Sequence, residues 1–328
     1  MDIPANWAWL EQTAGALITA VVLTDVFLTV LYARMGYSIV ADLLAQLVWS
    51  VFFHASKLFG RHRPLLLSFG GPVIVVAVVA FWVFALICGS AMVVQPELGR
   101  ALQSSTGATP RGFVSAVYVA GSNIITVGSS GVQPKTGAFR LFCLFDSIIG
   151  MSLVTLTVTY IVEIYNALHS RNTLALKLHV MSAKTGDAAD FIAALGASGE
   201  FGIAYSILSE AAAEIVSLKE SHNFYPVLFY FRFRSPLYSV SMAALMALDT
   251  ATLLGTALNE KRHGWLKRAA AVIALRESAE LLINTLQETF LPKRSPEANA
   301  PDENDVELWR GRYFAALGRL REAGLETR

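Results

Sequence analysis

Residues 126 to 134 read Thr-Val-Gly-Ser-Ser-Gly-Val-Gln-Pro. The chemistry open to such a stretch is that of oxygen ligands. Backbone carbonyls can replace the water around a dehydrated ion when they point in succession at one axis. The hydroxyls of Ser129 and Ser130 can add ligands or hold water. Aligning successive carbonyls requires alternating backbone handedness. Gly128 reaches left-handed angles at no steric cost. A serine at 130 would cost about 1–2 kcal/mol there, so Gly131 is expected to make the turn one residue later.

The elements around the stretch have the right lengths to position it. Gly112 to Ile125 reads as a helix too short to cross a bilayer, with Pro110 in the first turn after Thr109. Its negative C-terminal end favours a cation beyond it. Leu65 to Val94 on one side and Phe139 to Leu168 on the other are long apolar runs. Two spans flanking a half-length helix and a Gly-containing loop form the plan of a pore-loop ion channel.

The loop resembles the filter of tetrameric potassium channels, Thr-Val-Gly-Tyr-Gly-Asp with a proline a few residues on. Thr126, Val127, Gly128 and Pro134 match it; Ser129 stands for the Tyr, Ser130 for the second Gly and Gly131 for the Asp. Loss of the bulky Tyr implies a wider, wetter and less selective passage. The likeness continues through Arg140-Leu141-Phe142 and from Gly150 to Tyr160, and Asp25-Val26-Phe27-Leu28-Thr29-Val30-Leu31 looks like the first helix of the same group. The chain is thus similar to the bacterial two-helix-pore potassium-channel-like (ion channel) family. That resemblance implies a homotetramer passing potassium through filter backbone oxygens at Thr126, Val127, Gly128, Ser129, Ser130 and Gly131, with no other cofactor. Its departures bear on ion choice, not architecture.

Gly150 lies about where potassium channels often carry a hinge glycine in the inner helix. A glycine inside a helix costs up to about 1 kcal/mol relative to alanine, so a hinge or close packing would rationalise it. The face through Gly150, Val154, Thr157 and Ile161 is the candidate cavity lining. Asp146 and Glu163 flank it as candidate pore carboxylates, or as partners of a neighbouring group.

Composition agrees with a membrane protein: of 328 residues, 54% are hydrophobic and only 16% charged. The net charge of +1 implies no nucleic-acid partner. Ala14 to Ala33, at about 1.5 Å per residue, covers a bilayer core of about 30 Å. Asp25 within it costs roughly 2.5–3.5 kcal/mol on insertion scales and is expected to serve a structural hydrogen bond. From Ser38 to Phe59, the polar stripe Asp42, Gln46, Ser50, His54 and Lys57 fits a helix at the interface, with a fourth span as the alternative. Arg34, Lys57, Arg61 and Arg63 then stay inside, placing the acidic N-terminus outside and residues from 170 onward in the cytoplasm. The setting is the inner membrane, multi-pass, with the lipid bilayer as partner.

The expected fold is an all-α membrane protein. Residues 1–64 form a span and an interface helix, 65–169 the pore module, 170–292 a cytosolic helical domain, and 293–328 a flexible linker and final helix. In the cytosolic part, Asp187 to Gly196, Gly202 to Ser221, Leu237 to Asn259, Trp265 to Leu291 and Asp305 to Ala323 read as helices. Phe229-Tyr230-Phe231-Arg232-Phe233-Arg234 reads as core packing, with a membrane or subunit contact as the alternative. No phosphate-cradling fingerprint occurs, so no nucleotide-binding domain is evident. Scattered histidines and two isolated cysteines, Cys88 and Cys143, give no metal or triad spacing. The expectation is a non-enzymatic, potassium-permeable cation channel of reduced selectivity. A non-conducting scaffold or sensor on the same fold is the alternative. Anion passage is a third reading, because one acid, Glu97, faces Arg100, Arg111 and Lys135 across the outer segment.

Overall fold

Helix α1 (Ala5–Val26) is mostly apolar and continues as a π-helical turn over Phe27–Leu31, closed by the Tyr32 amide donating to the Phe27 carbonyl at 2.9 Å. The computed structural model describes residues 5–32, 38–105, 107–128, 131–197, 200–290 and 302–328. Arg34, Ser129, Ser130 and most of the expected linker from Pro292 lie outside the described residues. Next come α2 (Ala41–Leu58), the short α3 (Arg63–Ser68) and α4 (Gly70–Val94). Strand β1 (Leu102–Ser104), the half-length α5 (Phe113–Ile124), strand β2 (Val132–Pro134) and the long α6 (Gly137–Met181) complete the pore region.

Among the described residues, three helical stretches are long and apolar enough to cross a membrane: Trp7–Leu31, Gly70–Glu97 and Gly137–Met181. The first two pack closely because each offers a glycine. A Cβ on Gly15 would lie 2.4 Å from the Gly89 carbonyl oxygen, and one on Gly89 would meet the Thr19 hydroxyl at 2.7 Å. Asp25, fully buried, fulfils its expected structural role three times over. It accepts from Trp82 Nε1 of α4 at 2.8 Å and from the amides of Ile39 and Val40 at 2.6 and 2.8 Å. One carboxylate thus joins the end of α1, the start of α2 and the middle of α4. Charge-assisted hydrogen bonds of this kind offset the cost of burying the acid.

The expected helix start at Pro110 is displaced. Helix α5 begins at Phe113, after Gly112, and the Thr109 hydroxyl instead accepts the Ser104 amide at 2.9 Å. The two strands form an antiparallel ribbon pairing Leu102 with Pro134, Gln103 with Gln133 and Ser104 with Val132. It lies in what the sequence presents only as a polar outer segment.

The chain divides into two compact units, Met1–Tyr165 together with Phe224–Phe231, and Asn166–Asn223 together with Arg232–Arg328. The return of Phe224–Phe231 to the first unit explains half of the aromatic-basic cluster. Phe231 is buried against Gly71, where a Cβ would come within 2.6 Å of the ring. Phe233 belongs to the second unit, where the Arg171 guanidinium lies 5.0 Å from its ring centroid.

The second unit takes the last turns of α6 and adds α7 (Ala188–Leu195), α8 (Ala204–Phe224), α9 (Val240–Thr256), α10 (Glu260–Lys267), α11 (Ala270–Phe290) and α12 (Glu303–Glu322). The helix expected over Trp265 to Leu291 is in fact two. Asn259, read as a helix end, caps the start of α10 by accepting the Lys261 amide at 3.0 Å. Asp187 caps α7 with one oxygen, accepting from Ala189 at 2.8 Å. Its other oxygen receives Arg319 of α12 at 2.7 Å. Together with Leu317 and Leu320 in the shared core, this docks the final helix onto the unit.

Candidate ion-conduction site

The pore region is built on a small apolar core of Ala91, Val94, Leu98, Leu102, Ala116, Val119 and Ala120. It seats α5 between α4 and the outer ribbon. The far end of α5 closes in a Schellman motif. The Thr126 amide donates to Asn123 at 3.3 Å and the Val127 amide to Ser122 at 3.2 Å. Glycine usually occupies the left-handed position of that motif. Here Thr126 holds it, at φ 55°. A β-branched residue in this region is strained by about 1–3 kcal/mol, and such strain collects at functional sites.

Gly128, at φ 101°, is left-handed again, while Val127 between them keeps a negative φ. Handedness therefore alternates over Thr126, Val127 and Gly128. All three are exposed on the single chain. Gly131 is also left-handed, at φ 77°. Its carbonyl is committed elsewhere, accepting from the Ser105 amide at 2.9 Å and the Ser105 hydroxyl at 3.1 Å. The loop is thus fixed at one end by a helix C-terminus and at the other by the ribbon. An open cavity of about 440 Å³ lies behind it, lined by Ser122, Asn123, Thr126, Gly128, Gln133 and Ser147 among others.

The inner helix holds this end of α5 through Ser147, whose hydroxyl donates to the Asn123 carbonyl at 3.1 Å. Gly150 lies one turn on. A Cβ there would sit 1.8 Å from the Ile124 carbonyl oxygen. Helix α6 runs unbroken through this position, and close approach to α5, one of the two expected reasons, accounts for the glycine.

The matched family places these elements. Residues 73–167 match the family model described as ion channel. This segment is similar to ion-channel domains. The chain is also similar to an uncharacterized membrane protein, YdjJ, of Bacillus subtilis (strain 168), at 20% identity over 89% of this chain and 82% of that one. No solved structure matches. The channel domain therefore begins within α4 and ends within α6, with α5 and the loop at its centre.

Within the channel domain, the expected lining stripe divides. Asp146 is buried and accepts a hydrogen bond from the buried Ser90 hydroxyl of α4. It therefore faces the chain's own outer helix as the partner of a neighbouring group, the second of its two expected roles, and not the open face. Gly150 faces α5 in the same way. Thr157 and Ile161 are half-buried, and the Thr157 hydroxyl is shielded from solvent. Val154 and Glu163 are exposed. The reason is the tight seating of α5 at Gly150, which turns the stripe through 146 and 150 inward. Ser90, Ser105 and Ser147 do positioning work that the sequence reading missed. A polar residue within an apolar span was the available signal for Ser90 and Ser147; Ser105 had none.

Proposed function

We propose that four copies of this chain surround a common axis and conduct monovalent cations, potassium among them, past the carbonyls of Thr126, Val127 and Gly128. The observation that carries this reading is the alternating handedness of those three residues, the backbone arrangement that turns successive carbonyls to one side. Assembly is supported by what the single chain leaves open at the loop. Val114, Tyr118, Ile125 and Val127, on and just past the half-length helix, are all exposed. Lipid can cover the apolar side chains but not the irregular backbone of residues 126–128, and on this reading a further copy covers it.

Selectivity for potassium over sodium is low on this reading. Ser129 offers no bulky brace, the cavity behind the loop is roomy, and the Gly131 carbonyl is engaged by Ser105. Fewer fixed carbonyls and a softer wall weaken discrimination by coordination number and cavity size. The N-terminus lies outside and the second unit in the cytoplasm, where its helices hold the assembly or bias the gate.

The test is recording from purified protein in planar bilayers under a potassium chloride gradient. Unitary currents reversing near the potassium value support the proposal. A reversal near the chloride value would establish anion passage instead. The competing reading is a non-conducting scaffold or sensor, favoured by the commitment of Gly131 to the outer segment. Absence of unitary currents under all conditions would establish it.

A further inference from the structure

A second polar site lies within the first unit, away from the loop. A cavity of about 40 Å³ is enclosed by Thr29 of the π-helical turn, Ser38 and Asp42 at the start of α2, Tyr160 of α6, Tyr230, and the apolar side chains around them. A space of that size holds about two or three water-sized species. Its wall is unusually rich in oxygen for a region flanked by apolar helices: one carboxylate and four hydroxyls.

Two of those hydroxyls are without protein partners. Thr29 Oγ1 is buried with no hydrogen bond. Tyr160 is only 6% exposed, and among the described residues nothing pairs with its hydroxyl. The π-helical turn over Phe27–Leu31 sets the direction of Thr29. Such turns are rare and concentrate at functional positions.

The charge is equally unbalanced. Asp25 and Asp42 lie on either side of Ile39 and Val40, whose amides Asp25 holds. Asp25 has three donors of its own, whereas Asp42 lines the cavity with the Ser38 hydroxyl as its hydrogen-bond partner. No lysine, arginine or histidine lines that cavity among the described residues. Asp42 is half-buried, and a carboxylate partly withdrawn from water without a compensating positive charge carries a cost. One carboxylate balances one positive charge, and an all-oxygen wall without histidine or cysteine suits a hard ion rather than a transition metal.

We infer that this cavity binds one small monovalent cation, for which sodium is the probe, with Asp42 as the charged ligand and Thr29, Ser38, Tyr160 and Tyr230 as neutral oxygens. Because Tyr160 belongs to the inner helix, occupancy ties α6 to the π-helical turn after α1 and to the start of α2. The site is independent of conduction through the loop.

Thermal unfolding of the full-length protein in detergent tests it. Potassium chloride is held constant to keep the loop saturated, and choline is replaced stepwise by sodium. The wild type is expected to show a saturable rise in unfolding midpoint of about 2–4 °C. Asp42→Asn should abolish the rise, and Tyr160→Phe should raise the half-saturating sodium concentration several-fold. An unaltered rise in Asp42→Asn, or none in the wild type, would overturn the assignment and leave a cavity holding water alone. Should Asp42→Asn not fold, Thr29→Val decides the matter, since an unchanged half-saturating concentration there counts equally against the site.

Discussion

The α-carbon of Gly150 faces the carbonyl oxygen of Ile124 so closely that a methyl group would sit 1.8 Å from it. That oxygen belongs to the last turn of the half-length helix, two residues before the first of the amides that close its Schellman motif. The position of the loop after α5 is therefore referred to one glycine of the inner helix.

Gly150→Ala is expected to push α5 outward, costing about 1–3 kcal/mol or more from overpacking. The unfolding midpoint of the purified protein should fall, and unitary conductance should drop by more than the loss of folded protein explains. Normal currents from a fully folded variant would contradict the proposed role of the contact.

The strained Thr126 gives a prediction of opposite sign. Thr126→Gly removes the β-branched side chain from a left-handed position and should leave stability unchanged or raise it by up to about 1 kcal/mol. Gly128→Ala, in contrast, places a Cβ at φ 101° and should abolish conduction. Single-channel recording separates the two variants.

Replacing Ser129-Ser130-Gly131 by Tyr-Gly-Asp should raise the permeability of potassium relative to sodium. The aromatic ring would brace the loop from behind. Reversal potentials under bi-ionic conditions provide the measurement, and an unchanged ratio would count against the account of low selectivity.

Asp25→Ala leaves the Trp82 indole and two backbone amides without their acceptor. With charged hydrogen bonds at about 1.5–3 kcal/mol each, the expected loss is at least 3 kcal/mol, read as a lowered unfolding midpoint. Asp25→Asn keeps an acceptor oxygen and should lose less.

The second unit should be sensitive to acid through His222. Burial lowers its pKa to about 4; a hydrogen bond to the Leu218 carbonyl opposes this, and the Arg171 charge adds to it. The unfolded chain, near 6.5, takes up the proton first as pH falls. Stability from this group is therefore full above about 6.5 and is lost progressively down to about pH 4, by on the order of 3 kcal/mol. His222→Gln should flatten that part of the pH profile of unfolding.

Much of the pore region was legible because its signals are local. Thr-Val-Gly is a backbone requirement written in three adjacent residues, and the flanking spans are long enough to be read from length alone. Asp25 was legible as structural because an acid in an apolar run needs donors, although the three it found lie far apart in sequence. The ribbon between residues 102–104 and 132–134 was not legible, since three-residue strands carry no alternation to detect. The inward turn of Asp146 was hidden for a different reason. Spacing placed it on one stripe with Gly150 and Val154, but which way that stripe faces depends on how α5 seats, a tertiary fact. Asn259 misled because the same residue type serves to end one helix and to begin another.

The ribbon also has a kinetic corollary. For Gly131 to shift, Ser105 would first have to release its carbonyl, and the rungs at Gln103 and Gln133 would have to unzip. Any such shift is then timed by strand separation, on a scale of microseconds or slower, and mutations at Leu102 or Ser104 would alter its rate without touching Thr126, Val127 or Gly128.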